Sequence, residues 1–486
     1  MNRSVASNAF WNVAGALASL SVGLVALPVL LHALGATRLG VFTLALGLIG
    51  FSGLLDLGLG RALTQTVASA LGRGRRRAAV AALVWHVLRV LAACGLLWAV
   101  LLWWAVPSVV QHLFHLRGEL GFEAIFGLRA VALSVPFALL AAGAMGALEG
   151  LQEFRRVSTQ RAALSVAQYG LPALVAVWRP DVGWVIAGLA VSRVLSAAVW
   201  LRGLRRVLPR RHGDRHERED LHHLLGFGGW LSVSNVVGPL MAYADRFYLA
   251  SLYPTASVAY YTVPYDSLFR ITGLPATAIG AVFPALAESQ AEPARAALLV
   301  RVSIRALVAL MLPPLLLASI FALPLLTLWL GAAFAHHSVR IFQWLVLGVF
   351  LNGTAHVPYA LLQAYGRSDL TAKLYVFELP LFAVFLIWSV SHWGVEGAAL
   401  AWTLRIALDT SLLYAASIWR APPLHSALQR GAALVLATMA TLCVPLITLD
   451  SRVLAPLALC TCAGCGMVAL GLARQWRMTQ PFTLQP

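Results

Sequence analysis

Residues 39–63 read LGVFTLALGLIGFSGLLDLGLGRAL. These twenty-five residues hold one acid (Asp56), one base (Arg61), Thr43 and Ser52, and are otherwise apolar residues and glycine. An α-helix rises 1.5 Å per residue, so about 20 apolar residues cross a hydrocarbon core of about 30 Å. The stretch is therefore read as a membrane-spanning helix. Its odd features are the acid, the glycines and the arginine near one end.

The rest of the chain repeats the pattern. Of 486 residues, 60% are hydrophobic and 11% charged, and the mean hydropathy is +0.79. A soluble domain could not cover its surface with so few polar residues. The alternation expected of a membrane β-barrel, over about 10 residues per strand, is absent. The expected fold class is an all-α polytopic membrane protein of about fourteen spans, since helices satisfy their own backbone in lipid. The spans are expected at 11–33, 39–63, 79–106, 124–148, 161–178, 182–202, 223–250, 257–287, 300–328, 339–363, 371–391, 394–418, 431–450 and 453–473. The first is too long, and too closely followed by the second, for a cleaved signal.

Basic residues orient these spans. By this assignment one side holds 24 of the 36 Lys and Arg, including Arg73, Arg75, Arg76, Arg77 and seven arginines between 202 and 218. The other side holds Arg38, Arg117, Arg179, Arg340 and Arg452, and seven arginines fall inside spans. Both termini are thus expected in the cytoplasm. The net charge of +17 is accounted for by cytoplasmic loops beside anionic headgroups, which argues against nucleic acid as a partner.

A repeat crosses the basic stretch 203–222. Trp11 aligns with Trp230, and Thr43 with Thr262, both at an offset of 219. Six spans before and six after give two lobes of the same orientation, a parallel repeat about the membrane normal. The expected organisation is an N-lobe at 1–202, a cytoplasmic linker at 203–222, a C-lobe at 223–420, and an added helix pair with a tail at 421–486.

The blocks LGATRLGVFTLALGLIGFSGLLDLGLGRAL (34–63) and YADRFYLASLYPTASVAYYTVPYDSLFRITGLPATAIGAVFPALAE (243–288) carry a resemblance. Over residues 5–420 the chain resembles the multidrug/oligosaccharidyl-lipid/polysaccharide exporter superfamily, and within it the Wzx-type flippases of lipid-linked oligosaccharides. Many of those have twelve spans. Fourteen is also similar to the peptidoglycan lipid II flippases, whose last pair borders a groove for the lipid tail. The resemblance implies alternating access in a bacterial inner membrane. Undecaprenyl-pyrophosphate-linked sugar units would pass from the cytoplasmic to the periplasmic leaflet for O-antigen, capsule or exopolysaccharide. Membrane lipids and polysaccharide-assembly proteins are the other implied partners.

Ionisable residues inside spans cost about 2.5–3.5 kcal/mol on insertion scales and usually face a cavity or a partner. Arg89, Arg193, Arg270 and Arg405 fall near mid-span, Arg129 and Arg246 near outer ends and Arg61 near an inner end. Asp266/Arg270 and Arg405/Asp409 are four apart and read as local pairs. Arginine's planar fork matches a pyrophosphate, so Arg89, Arg193, Arg270, Arg405, Arg61 and Arg129 are the candidates for the anionic headgroup. Arg129 and Arg61 read equally as residues snorkelling from span ends. Coupling to H+ or Na+ would need a carboxylate such as Asp56, Asp245 or Glu378, each of which also reads as one half of a structural pair. No other cofactor is expected. Cys460, Cys462 and Cys465 lack a fourth ligand, and no metal is assigned to them or to His212 and His216. Trp103, Trp104, Trp184, Trp329, Trp393 and Trp419 read as an interfacial belt.

Two other classes compete. A drug or cation antiporter favours an acidic, aromatic interior, whereas this one leans basic. A membrane-embedded glycan polymerase or ligase needs a sizeable external loop, and the longest outer connection is 107–123. No catalytic residue is assigned and the chain is not read as an enzyme.

Overall fold

The computed structural model describes residues 3–50, 59–72, 77–208 and 240–447, with 456, 461 and 463–468 near the C-terminus. Asp56, Trp230, the 209–222 part of the linker, His212, His216, Cys460, Cys462 and most of the span expected at 453–473 lie outside the described residues. No strand occurs among the described residues. The helices are α1 (Arg3–Gly50), α2 (Leu59–Gly72), α3 (Arg77–Ser108), α4 (Gly118–Gly150), α5 (Phe154–Trp178) and α6 (Val182–Val207). They continue as α7 (240–252), α8 (Thr255–Phe269), α9 (Gly273–Glu288), α10 (Pro293–Ile320) and α11 (Ala322–Leu330). The series ends with α12 (Ala332–Ala364), α13 (Ser368–Arg420) and α14 (His425–Ile447).

Among the described residues, eight helices are long and apolar enough to cross a membrane, against fourteen expected spans. The all-α membrane class holds, and the local differences have visible causes. Helices α1 and α13 turn at Gly35 (φ 72°) and Gly394 (φ 59°), close to the expected joints of spans 1/2 and 11/12. A left-handed backbone suits glycine, which has no Cβ to clash. The span expected at 257–287 is broken by a 3-10 turn at Arg270–Thr272, just before Pro275. That proline has no N–H for the Ile271 carbonyl, and a tighter turn is a common response. Pro324 likewise coincides with the break between α10 and α11.

The fold forms two compact units, Met1–Val263 and Pro264–Pro486. In the first, α6 packs along both α4 and α5, and α3 covers α4. The α4–α6 contact is close: a Cβ added at Gly183 would stand 2.6 Å from the Glu123 carbonyl oxygen. Small residues at such a crossing let backbones approach, which is how helices associate where lipid removes most of the hydrophobic driving force. At the Gly35 end of this unit, Glu123 accepts from Arg38 Nε at 2.8 Å and Nη2 at 2.6 Å, and from the Val182 amide at 3.2 Å. One carboxylate thus ties the span 1/2 joint to the starts of α4 and α6. Within the same unit, Thr262 Oγ1 donates to Thr43 Oγ1 at 2.9 Å, so the two threonines matched at the 219-residue offset meet.

In the second unit, α12 is the most enclosed span. Along it runs a ladder from the second half of α13. Thr403, Thr410 and Ser417 donate hydroxyls to the carbonyls of Trp344, Leu351 and Pro358, at 2.8, 3.4 and 3.3 Å. Donors and acceptors each step by seven residues, two helical turns, so one face of each helix stays on the other. Helix α14 is fastened near its C-terminal end, where Gln343 Nε2 donates to the Ser319 and Pro445 carbonyls, both at 3.2 Å.

Candidate functional site

Two polar places stand out, one inside each unit. In the second unit, Glu378 on the first half of α13 is fully buried and lies 3.9 Å from the Arg405 guanidinium on the second half. That distance is an ion pair but too long for a hydrogen bond. Arg405 also lies over the Phe382 ring, 5.6 Å from its centroid. Asp409, buried one turn beyond Arg405, interacts with both Arg405 and Glu378. His356 of α12 acts on Asp409 electrostatically, while its Nδ1 is 2.9 Å from the Asn352 carbonyl and so donates there. Neither Glu378 oxygen, nor Asp409 Oδ1, has a hydrogen-bond partner among the described residues. Two buried carboxyl groups therefore share one arginine. A proton on either would turn the Glu378–Asp409 contact into a hydrogen bond and remove the one unbalanced charge; a small cation could balance that charge instead.

The expected Arg405/Asp409 pair is thus one side of a three-member cluster, with Glu378 recruited from the neighbouring span. Of the expected Asp266/Arg270 pair, the structure shows a backbone link as well as proximity. Arg270 starts the 3-10 turn, and its Nε donates to the Asp266 backbone carbonyl at 3.2 Å.

In the first unit, Arg193 lines a cavity of about 260 Å³ between α4, α5 and α6, together with Arg161 and Gln168. Arg89 is exposed on α3. Arg129 lies over Trp103, 4.8 Å from the ring centroid. Arg61 falls in α2, but its side chain lies outside the described residues. The structure therefore brings Arg193 together with Arg161, and Arg405 with Glu378; Arg89 and Arg129 share neither place. Asp245 is fully buried in the first unit and accepts from the Tyr261 hydroxyl and, at 2.8 Å, from the Arg246 amide. Arg246 is itself 1% exposed, with its guanidinium 5.0 Å from the Tyr243 ring centroid.

An apolar cavity of about 580 Å³ lies between α10, α14 and a segment holding Thr461, Gly464 and Cys465. Leu312, Leu434, Ala437 and Val468 line it, with Arg305 among them. Trp104, Trp184, Trp393 and Trp419 are exposed, as an interfacial belt requires.

Sequence reasoning missed Arg161 as a cavity residue, because it sits where loop arginines were counted. It also missed the Arg38–Glu123 clamp, which joins positions 85 residues apart.

Comparison with known proteins bears on this arrangement. A family described as polysaccharide biosynthesis protein matches residues 5–290. A relative from Shigella flexneri named "Putative O-antigen transporter" is 28% identical over 412 residues, covering 84% of this chain and 97% of its own. Among solved structures, the lipid II flippase MurJ in an inward closed conformation has a TM-score of 0.73 at 13% identity. It covers 94% of this chain and 98% of its own. An inward-facing multidrug resistance MATE transporter of the MOP superfamily has a TM-score of 0.68 at 16% identity, covering 87% and 99%. At those identities the structures speak to fold alone, which is that of the MOP transporters. The chain belongs to the polysaccharide biosynthesis protein family.

Proposed function

We propose that this protein is a flippase that carries undecaprenyl-pyrophosphate-linked oligosaccharide units from the cytoplasmic to the periplasmic leaflet of a bacterial inner membrane. The observation that carries the reading is the family match over residues 5–290 in a chain with the MOP transporter fold. Two lobes of six spans alternate access, and the basic loops hold both termini in the cytoplasm. A transporter of this kind needs no catalytic residue. Arg89, Arg193, Arg270, Arg405, Arg61 and Arg129 are the proposed contacts for the anionic headgroup. The apolar cavity beside α14 is the proposed resting place of the isoprenoid tail.

Glu378, Asp409 and Arg405 form the proposed coupling site, with Asp245 and Asp56 the other candidates. The support is a charge imbalance: two buried carboxyl groups against one arginine favour uptake of one H+ or Na+ in one state and its loss in the other.

The substrate assignment is tested in a strain whose surface polysaccharide depends on this protein. The Arg89→Ala/Arg193→Ala double variant is expected to lose most surface polysaccharide at unchanged protein abundance. Wild-type polysaccharide levels in that variant would remove the anion-contact assignment.

A further inference from the structure

We infer that the cavity between α4, α5 and α6 is a docking site for the phosphate of an inner-leaflet lipid, set within the first unit. Each helix presents one face to it. Helix α4 contributes Ala138, Ala141 and Met145; α5 contributes Arg161, Leu164 and Gln168; α6 contributes Ser192, Arg193, Ser196 and Trp200. The alanines and serines stand where larger side chains would close the gap, which is why space remains between otherwise close-packed helices. Arg161 begins near the basic end of α5, after Arg155 and Arg156, and Trp200 is followed by Arg202, Arg205 and Arg206. By the distribution of basic residues this is the cytoplasmic end.

The lining chemistry selects the ligand. Two guanidinium groups, one amide and the Ser196 hydroxyl can donate to oxygen, and the guanidinium forks suit phosphate oxygens in particular. The Ser192 hydroxyl already donates to the Leu189 carbonyl at 2.7 Å, so it serves the cavity as an acceptor or through water. Arg161 is ion-paired with Glu149 one turn beyond Met145, so the carboxylate offsets one of the two positive charges. Glu149 therefore competes with any incoming anion for Arg161. About 260 Å³ is below the roughly 300–1,000 Å³ of pockets that enclose drug-sized ligands. It accommodates a phosphate or pyrophosphate with water, and leaves the glycan and acyl or prenyl chains outside.

Lipid phosphate has two sources here, bulk anionic phospholipid and the pyrophosphate of the carrier lipid. The inference rests on the membrane orientation proposed above but not on what is transported. Binding is read without transport, so the two can fail separately. Detergent-purified full-length protein is titrated with phosphatidylglycerol or farnesyl pyrophosphate, and bound lipid is counted by native mass spectrometry. Arg193→Gln and Arg161→Gln are each expected to weaken binding about tenfold or more, the loss of one charge-assisted hydrogen bond. Glu149→Gln is expected to tighten it several-fold by releasing Arg161. Ser196→Phe, which fills the cavity and leaves the charges alone, is expected to abolish it. Farnesyl pyrophosphate displacing phosphatidylglycerol identifies the carrier as the occupant, and failure to displace identifies bulk lipid; both support the site. Wild-type binding in Ser196→Phe, or in either arginine variant, overturns it.

Discussion

Replacing Arg405 with Ala is expected to cost the fold about 3 kcal/mol and to abolish transport. Removing one partner of a buried pair leaves an uncompensated charge, at a cost of about 3–5 kcal/mol in soluble proteins. The lower end is expected here, because a chain unfolded in the membrane also finds polar partners. The penalty falls on Glu378 and Asp409 together, both buried, with Arg405 the one cation in ion-pair reach of Glu378 among the described residues. Glu378→Gln should behave differently. It removes the excess negative charge, so the thermal midpoint in detergent should hold or rise, while dependence of transport on the proton or sodium gradient should vanish. A midpoint in Arg405→Ala equal to wild type would contradict the cluster. Gradient-dependent transport in Glu378→Gln would contradict its role in coupling.

Asp245→Ala is expected to be nearly as damaging, by about 3 kcal/mol. The carboxylate accepts from both the Tyr261 hydroxyl and the Arg246 amide in a fully buried setting. The orphaned Tyr261 hydroxyl costs about 1–3 kcal/mol, and the nearby buried Arg246 charge adds to that. Asp245→Asn keeps one acceptor oxygen and should cost about 1 kcal/mol. The ordering of the two melting temperatures checks the assignment: equal loss in both would mean that charge, not hydrogen bonding, dominates at this position.

The membrane class was legible in the sequence because apolar runs near 20 residues have few other uses. The joints at Gly35 and Gly394 were legible to within a few residues, since an apolar run can end only where the chain leaves lipid. The breaks inside the spans at 257–287 and 300–328 were missed, because hydropathy does not register a proline that merely removes one backbone donor. The Glu378–Arg405–Asp409 cluster was half legible. Glu378 lies sixteen residues before Gly394 and Asp409 fifteen after it, so a hairpin at that glycine puts them at one depth. The same count about Gly366 places His356, ten residues before it, near Glu378, twelve after. Sequence spacing along one helix pointed instead to Arg405/Asp409, because an i,i+4 rule cannot see the next span. Arg161 was hidden for a related reason. Its position near a span end marks it as a loop residue, while the cavity beside it depends on alanines and serines from two other helices.

The most direct measurement is translocation itself. The purified protein is reconstituted into liposomes holding undecaprenyl-pyrophosphate-linked oligosaccharide with a fluorescent label on the sugar, and a membrane-impermeant reductant is added outside. Expected is a fraction of quenched label that rises from about half, the outer leaflet alone, towards completion in a protein-dependent way, and that stays near half with Arg405→Ala. A wild-type protein that leaves half the label protected, while moving a cationic drug across the same vesicles, would contradict the flippase assignment.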